Sequence, residues 1–203
     1  MFYQTDKPHG LKHNPFKSLV VPRPIGWIST MSKAGAVNLA PFSFFNAVAE
    51  APPMVMIACN GSHADGGVKD TLANIQETGE CVCNIVTWEL REQMNQTSAG
   101  VARGVDEMRL AGLAAAPSLL VRPPRVAAAP AHLECVHLRT IELPSSRAGL
   151  ANNLVLARVV GVHIADDILR DGLVDMDRFH PVARLGYHDY AVVRDVFTMP
   201  RPT

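Results

Sequence analysis

The chain has 203 residues, of which 48% are hydrophobic and 19% charged. This composition excludes a disordered protein, and the length fits one folded domain over residues 1–203. Its 19 Lys and Arg balance its 19 Asp and Glu, which gives no reason to expect a nucleic-acid or membrane surface. Residues 1–16 lack the apolar stretch of a signal peptide, so we expect a cytoplasmic protein.

Short segments rich in Val and Ile, separated by Gly, Pro, Asn or Ser, predict β-strands. In chain order, they cover residues 26–30, 54–59, 81–86, 133–143 and 154–165. The last two strands predict a long hairpin joined by residues 144–153.

Three segments predict short helices, at residues 70–79, 87–100 and 106–113. Asp70 or Thr71 is the predicted N-cap of the first helix and Gly79 its C-cap. Strands outnumber helices and long βαβ crossovers are missing. The fold class is therefore mainly β, an antiparallel barrel or sandwich with peripheral helices rather than a Rossmann sheet.

The stretch VNLAPFSFFN at residues 37–46 fits neither regular element. Pro41 removes a donor from a β-ladder, and a proline inside a helix costs about 3 kcal/mol. We therefore expect an aromatic-rich loop, which is either the wall of a ligand pocket or a buried aromatic cluster.

The glycine-bearing stretch at residues 61–71 has neither a G-x-G-x-x-G pattern nor a Walker lysine. It leads into the start of the first predicted helix, where free backbone N–H groups favour a phosphate. Ser62, Lys69 and Thr71 add hydroxyls and one positive charge. The alternative is an ordinary Gly-Gly turn with a solvated lysine.

Neither the cysteines nor the histidines predict a metal site. Cys81 and Cys83 are separated by one residue, so in a strand both thiols would lie on one face as small core residues. The eight histidines show no zinc-binding spacing.

Eight stretches, in the same order over roughly residues 20–193, carry a family resemblance. They are RPIGWIST, VNLAPFSFFN, PPMVMI, KDTLANI, CVCNIV, HLEC, LVLARVVGVHI and PVARLGYHDYAVV. Together they closely resemble the flavin reductase-like family, whose members carry FMN in a split β-barrel. The resemblance implies a Greek-key antiparallel split barrel and a single FMN-binding domain.

The resemblance also implies FMN-binding residues. Their matching positions are Ser29, Thr30, Asn38, Leu39, Ala40, Pro41, Phe42, Ser43, Ser62, Lys69, Asp70, Thr71 and Tyr187. Trp27 is a further candidate, a large aromatic that either stacks on a ring or packs in the core. Residues 29–43 would line the flavin ring and ribityl chain, residues 62–71 would hold the phosphate, and Tyr187 would lie near the flavin, across a dimer interface or within one chain. His163 is a candidate catalytic residue near the flavin or nicotinamide; alternatively, it only satisfies a core hydrogen bond.

Family members commonly transfer a hydride from NADH or NADPH to flavin, so the resemblance implies an NAD(P)H:flavin oxidoreductase. One such role is the reductase component of a two-component monooxygenase, and the alternative is a non-catalytic electron carrier of flavoredoxin type. A third possibility is a binding module that keeps the fold but has lost the cofactor. The family is typically homodimeric. No motif distinguishes NADH from NADPH, and residues 98–130 are the candidate segment for substrate selection.

Overall fold

A computed structural model describes residues 1–202 of the chain. Strands dominate this part of the chain, which confirms the mainly-β prediction. In chain order, they are β1 (Arg23–Pro24), β2 (Gly26–Met31), β3 (Val37–Phe42), β4 (Phe45–Glu50), β5 (Pro53–Asn60), β6 (Glu80–Ile85), β7 (Ala115–Ala116), β8 (Arg125–Val126), β9 (Ala131–Leu143), β10 (Asn152–Ile164), β11 (Leu169–Arg170), β12 (Leu173–Val174), β13 (Val182–Arg184) and β14 (Tyr190–Val192).

The helices are short. They are α1 (Phe16–Leu19), α2 (Asp70–Thr78), α3 (Arg91–Gln96), α4 (Glu107–Leu110) and α5 (Met176–Phe179), with single 3-10 turns at Trp88–Leu90 and Asp166–Ile168. The three predicted helices are confirmed as α2, as α3 with its preceding 3-10 turn, and as α4. Within residues 1–202, no helix has the length and apolar character needed to cross a membrane.

The sequence predicted the C-cap of α2 correctly and its N-cap incorrectly. Gly79 is the C-cap, as predicted, with a left-handed φ of 76° that glycine adopts without steric cost. The N-cap is Lys69 rather than Asp70 or Thr71, and no side chain caps this end of the helix. Its first backbone N–H groups therefore lack a side-chain acceptor.

One antiparallel sheet of seven strands forms the body of the molecule, in the order β3-β2-β6-β9-β10-β5-β4. The predicted hairpin of β9 and β10 lies near its middle, with Leu143 paired to Asn152 at the turn. The two edge strands, β3 and β4, are consecutive in the chain and are separated only by Ser43 and Phe44. The sheet must therefore curl until its edges approach at these two residues, which produces a split barrel.

The loop predicted for residues 37–46 is wrong. β3 runs through Pro41 to Phe42, and β4 begins at Phe45, so Pro41 does not end the strand. The physical reason is that β3 is an edge strand, where a proline need not donate to a ladder. Only the bend at residues 43–44 is irregular.

Strand β2 separates two hydrophobic cores because its alternating side chains enter different layers. Ile28 packs inside the barrel with Phe42, Phe45 and Ile57. Trp27 packs on the other side, in a second core that includes residues of α3 and α4. This second core fixes the helices against β3 and so shapes the surface beside that strand.

The four cysteines are buried and free of disulfide bonds. Cys81 and Cys83 do share a face: their sulfur atoms and that of Cys135 lie within 4.8 Å of one another. Burial raises the pKa of the Cys59 thiol to about 12. These thiols pack in the barrel core, as the sequence predicted.

Candidate functional site

Three adjoining cavities follow the open edge of the barrel. The loop cavity, of about 200 Å³, lies between β3, the 61–69 loop and residues 97–101. The central cavity, of about 590 Å³, shares Pro41 and Ser98 with it. The cationic cavity, of about 600 Å³, shares Ser43 and Arg184 with the central one. Because neighbouring cavities share lining residues, the three are together called the groove, and its two larger cavities have volumes typical of ligand sites.

The loop cavity is built around the uncapped start of α2. Lys69 and Thr71 both line it, and the buried Thr71 hydroxyl accepts a hydrogen bond of 2.9 Å from the Asn38 amide. The Lys69 ammonium lies 5.7 Å from the centre of the Phe42 ring. Helix N–H groups, a hydroxyl and a lysine therefore converge in one small cavity, an arrangement that favours an anion.

Arg103 holds the loop that forms one side of this cavity. Its guanidinium donates to the carbonyls of Gly66 (2.7 Å) and Val68 (2.9 Å) and forms an ion pair with Asp70. This pair offsets the negative charge of Asp70, which would otherwise repel an anion at the helix start. No sequence pattern indicated Arg103, because it lies in the undistinctive segment after α3.

Glu107 closes the cavity from the α4 side and accepts a 3.0 Å hydrogen bond from the backbone N–H of Leu39. Burial raises the pKa of its carboxyl group, partly countered by that hydrogen bond. Backbone N–H groups along an edge strand point alternately toward the neighbouring strand and away from it. The N–H of Leu39 points away from β2, toward Glu107, so the next N–H position on that side belongs to Pro41. Proline has no N–H, so this part of the exposed edge of β3 offers no free donor that could pair with another strand.

The central cavity is lined by both apolar and polar side chains. Pro41, Met94 and Val182 provide apolar surface, and Ser43 provides a hydroxyl. Arg91 stacks on Trp88 with its guanidinium carbon 3.7 Å from the ring centre. A flat, polar-edged ring could therefore lie between apolar and hydrogen-bonding surfaces.

The structure brings together most of the sequence-predicted site residues. Lining the loop cavity are Asn38, Ala40, Pro41, Phe42, Ser62, Lys69, Asp70 and Thr71. Ser43 lies where the central and cationic cavities meet, and Tyr187 lines the cationic cavity. The Ser62 hydroxyl donates to the Gly149 carbonyl at 3.1 Å, which ties the loop to the β9–β10 hairpin.

Four predicted site residues line none of these cavities. Trp27, Ser29, Thr30 and Leu39 are all completely buried. The Trp27 indole donates to the Thr97 hydroxyl at 2.8 Å, and the Ser29 hydroxyl donates to the Pro124 carbonyl at 2.6 Å. These residues therefore support the groove from beneath, and we leave them out of the proposed binding set.

Thr30 takes part in the same support. Its hydroxyl accepts from the amides of Asn38 (3.2 Å) and Asn74 (3.0 Å). Since Asn38 also donates to Thr71, this network links β2, β3 and the first turn of α2. Through Asn38 and Thr71, which line the loop cavity, this network holds the cavity in shape.

His163 lies outside all three cavities. Its Nε2 atom is 2.5 Å from a carboxylate oxygen of Glu134, and its ring centre is 5.9 Å from that of His132. Glu134 is fully buried and also accepts the backbone N–H groups of residues 119–121. These contacts favour the alternative interpretation of His163, a satisfied core hydrogen bond.

Sequence reasoning missed several groove residues because they come from distant segments. Trp88, Arg91 and Ser98 follow β6, whereas Arg184 and Tyr190 come from the carboxyl-terminal strands. Only folding places these segments side by side, through the bridge between Thr87 and Pro181.

Comparison with known proteins agrees with this geometry. Residues 18–183 match the family model described as the flavin reductase like domain. An uncharacterized protein of Halalkalibacterium halodurans is 38% identical over 184 residues, covering 91% of this chain and 88% of that protein.

Two solved structures are similar at moderate identity. Nitrilotriacetate monooxygenase component B from Bacillus cereus superposes with a TM-score of 0.88 at 29% identity, covering 98% of both chains. The 2-nitrobenzoate 2-nitroreductase NbaA of Pseudomonas fluorescens gives 0.80 at 27% identity, covering 93% of this chain and 89% of that one. The chain therefore belongs to the flavin reductase-like family and has its split-barrel fold.

Proposed function

We propose that the chain binds FMN along the loop and central cavities and transfers a hydride to it from NADH or NADPH. The observation that carries this proposal is that a small anion-favouring cavity adjoins a larger one. The small cavity has the uncapped start of α2 with Lys69 and Thr71, and the larger one, beside Pro41, has both apolar and polar side chains. A flavin mononucleotide has matching parts, with a phosphate at one end and a flat, polar-edged ring at the other.

The residues at the phosphate end fit a phosphate without rearrangement. The start of α2 provides backbone N–H groups, Thr71 a hydroxyl and Lys69 a full charge. Arg103 already neutralises Asp70, so the positive charge of Lys69 remains available. Among residues 1–202, no carboxylate lies within ion-pair distance of the Lys69 ammonium.

At the ring end, the chain would orient the ring and exclude water. Bound FMN supplies the hydride-accepting chemistry itself, so no acid–base triad is required of the protein. Pro41 and Met94 give the ring an apolar wall, and the Ser43 hydroxyl is placed to bond a polar ring edge. The same cavity is large enough to admit a nicotinamide beside the ring.

The proposal is tested by titrating the purified protein with FMN and then measuring NADH and NADPH oxidation with and without added flavin. We expect saturable FMN binding and catalytic turnover. FMN binding with only stoichiometric, slow oxidation would instead favour the electron-carrier alternative. Absence of flavin binding would overturn the proposed function while leaving the fold unchanged.

We further infer that reduced flavin passes to a partner monooxygenase. The support is the 29% identity with a monooxygenase component B over nearly the whole of both chains. Rapid release of reduced FMN, measured by its transfer to a second flavin-binding protein, supports this role. Retention of the flavin through many turnovers would contradict it.

We also infer that the chain forms a homodimer. Large apolar side chains are exposed at the carboxyl-terminal end of β10, where Val162 and Ile164 share a strand face and are 59% and 41% exposed. Leu119 and Leu120, in the loop before β8, are 79% and 62% exposed. Exposed apolar side chains on one strand face support an interface. Light scattering coupled to gel filtration should give twice the mass of 22.0 kDa, and Val162→Asp should shift the protein toward monomer.

A further inference from the structure

The cationic cavity has a feature that FMN binding does not explain. Its lining includes five basic residues, His13, Lys17, Arg23, Arg147 and Arg184, and no Asp or Glu. Basic side chains gathered without a carboxylate repel one another, which destabilises the free protein. A bound anion would remove that repulsion, so the composition of this cavity points to an anionic ligand.

Arg23 gives the cavity a buried and fixed positive charge. The residue is only 6% exposed, and its guanidinium donates to the carbonyls of Lys17, Val20 (2.6 Å) and Leu185 (2.8 Å). Its Nε atom is buried without a hydrogen-bond partner. Burial and the neighbouring Arg184 lower the pKa of Arg23, as expected when no acid compensates its charge.

The position of the cavity indicates which part of which ligand it receives. Along the groove, the loop cavity lies on one side of the central cavity and the cationic cavity adjoins at Ser43 and Arg184. FMN bound with its phosphate at Lys69 would place no phosphate in the cationic cavity. The adenosine of FAD, which is attached through that phosphate, would extend away from the flavin ring and from this cavity. The anion therefore belongs to a second molecule that reaches the flavin ring from the opposite side.

Two exposed aromatic rings make the cavity suitable for a nucleotide. Phe16 is 58% and Tyr187 49% exposed, and both line the cavity beside the basic side chains. Tyr187 is held with a positive φ of 53°, and its ring centre is 5.5 Å from that of His13. Aromatic rings next to arginines stack bases and bind phosphates.

We propose that the cationic cavity binds the phosphate-bearing adenosine end of the pyridine nucleotide, and that it favours NADPH over NADH. This inference rests on the proposed function, because it takes the central cavity as the place where nicotinamide meets flavin. The 2′-phosphate of NADPH adds negative charge that NADH lacks, and Lys17 and Arg147 are exposed side chains that can close on it.

The test compares wild type with Arg147→Ala, Lys17→Ala and their double variant. Calorimetry with 2′,5′-ADP and with 5′-AMP measures the cavity directly, in protein with and without FMN. We expect 2′,5′-ADP to bind wild type about tenfold or more tightly than 5′-AMP, and the double variant to lose that difference. The matched control is Arg139→Ala, an exposed arginine of β9 that lines none of the cavities.

Steady-state kinetics then separate the two proposals. We expect the double variant to raise the KM for NADPH about tenfold, with the KM for NADH changed far less and FMN affinity unchanged. Equal 2′,5′-ADP affinity in wild type and the double variant would overturn the nucleotide-binding assignment, even if the protein reduces flavin. Normal 2′,5′-ADP binding in a protein that binds no FMN would instead contradict the proposed function and leave the cavity assignment standing.

Discussion

Replacing Lys69 by alanine should weaken FMN binding through the phosphate alone. Lys69 is half-buried in the loop cavity, and no carboxylate among residues 1–202 pairs with it. A charge-assisted hydrogen bond contributes about 1.5–3 kcal/mol. The Kd for FMN should therefore rise by about 10- to 150-fold in Lys69→Ala.

Riboflavin, which has no phosphate, makes this test specific. Flavin fluorescence quenching should show the full loss for FMN and a change of less than about twofold for riboflavin. The matched control is Lys33→Ala, which removes a 69% exposed lysine from the β2–β3 turn, away from the groove. An equal loss for FMN and riboflavin would refute the reasoning, because it would mean that the substitution acts through the fold.

Three further predictions concern stability and reactivity. A Cβ on Gly26 would lie 2.7 Å from the ring of Phe45, so Gly26→Ala should lower the free energy of unfolding, measured in urea, by about 1–3 kcal/mol. The control is Gly100→Ala, whose Cβ meets no atom within 4 Å and should leave that free energy unchanged. Equal effects of the two substitutions would contradict the reasoning. Burial raises the pKa of Glu107 in the folded state. The stability of the wild type should therefore fall as the pH rises from the pKa of the unfolded state through that of the folded state. Glu107→Gln should remove that fall, and parallel profiles of Tm against pH for the two proteins would contradict the assignment. The buried Cys59 thiol, with its pKa raised to about 12, should react with a disulfide reagent only after unfolding; rapid labelling of native protein would contradict its burial.

Periodicity and turn residues predicted most of the regular structure. The strands around Trp27, Cys81 and Val155 and the long hairpin follow from β-branched runs bounded by turn residues. The loop predicted around Pro41 was wrong, because an edge strand can contain a proline and sequence alone does not show which strands lie at the edges of a sheet. The curled sheet that makes β3 an edge depends on long-range pairing.

The site was predictable where its residues are consecutive and not where they come together by folding. Lys69, Asp70 and Thr71 start a helix after a glycine-bearing loop, and the physics of helix ends is local. Ser29 and Thr30 also carry hydroxyls, but both faces of β2 are covered, so both side chains are buried and support the groove from beneath. The cationic cavity combines residues 13–23 with residues 147–187, so no local pattern indicates it.

The most direct test of the account is an anaerobic reduction experiment on FMN-loaded protein. NADPH and then NADH are added in separate runs while the visible absorbance of the flavin is followed. The account predicts loss of that absorbance much faster than with free FMN, and faster with NADPH than with NADH. The account would be contradicted if neither nucleotide reduced bound FMN faster than free FMN.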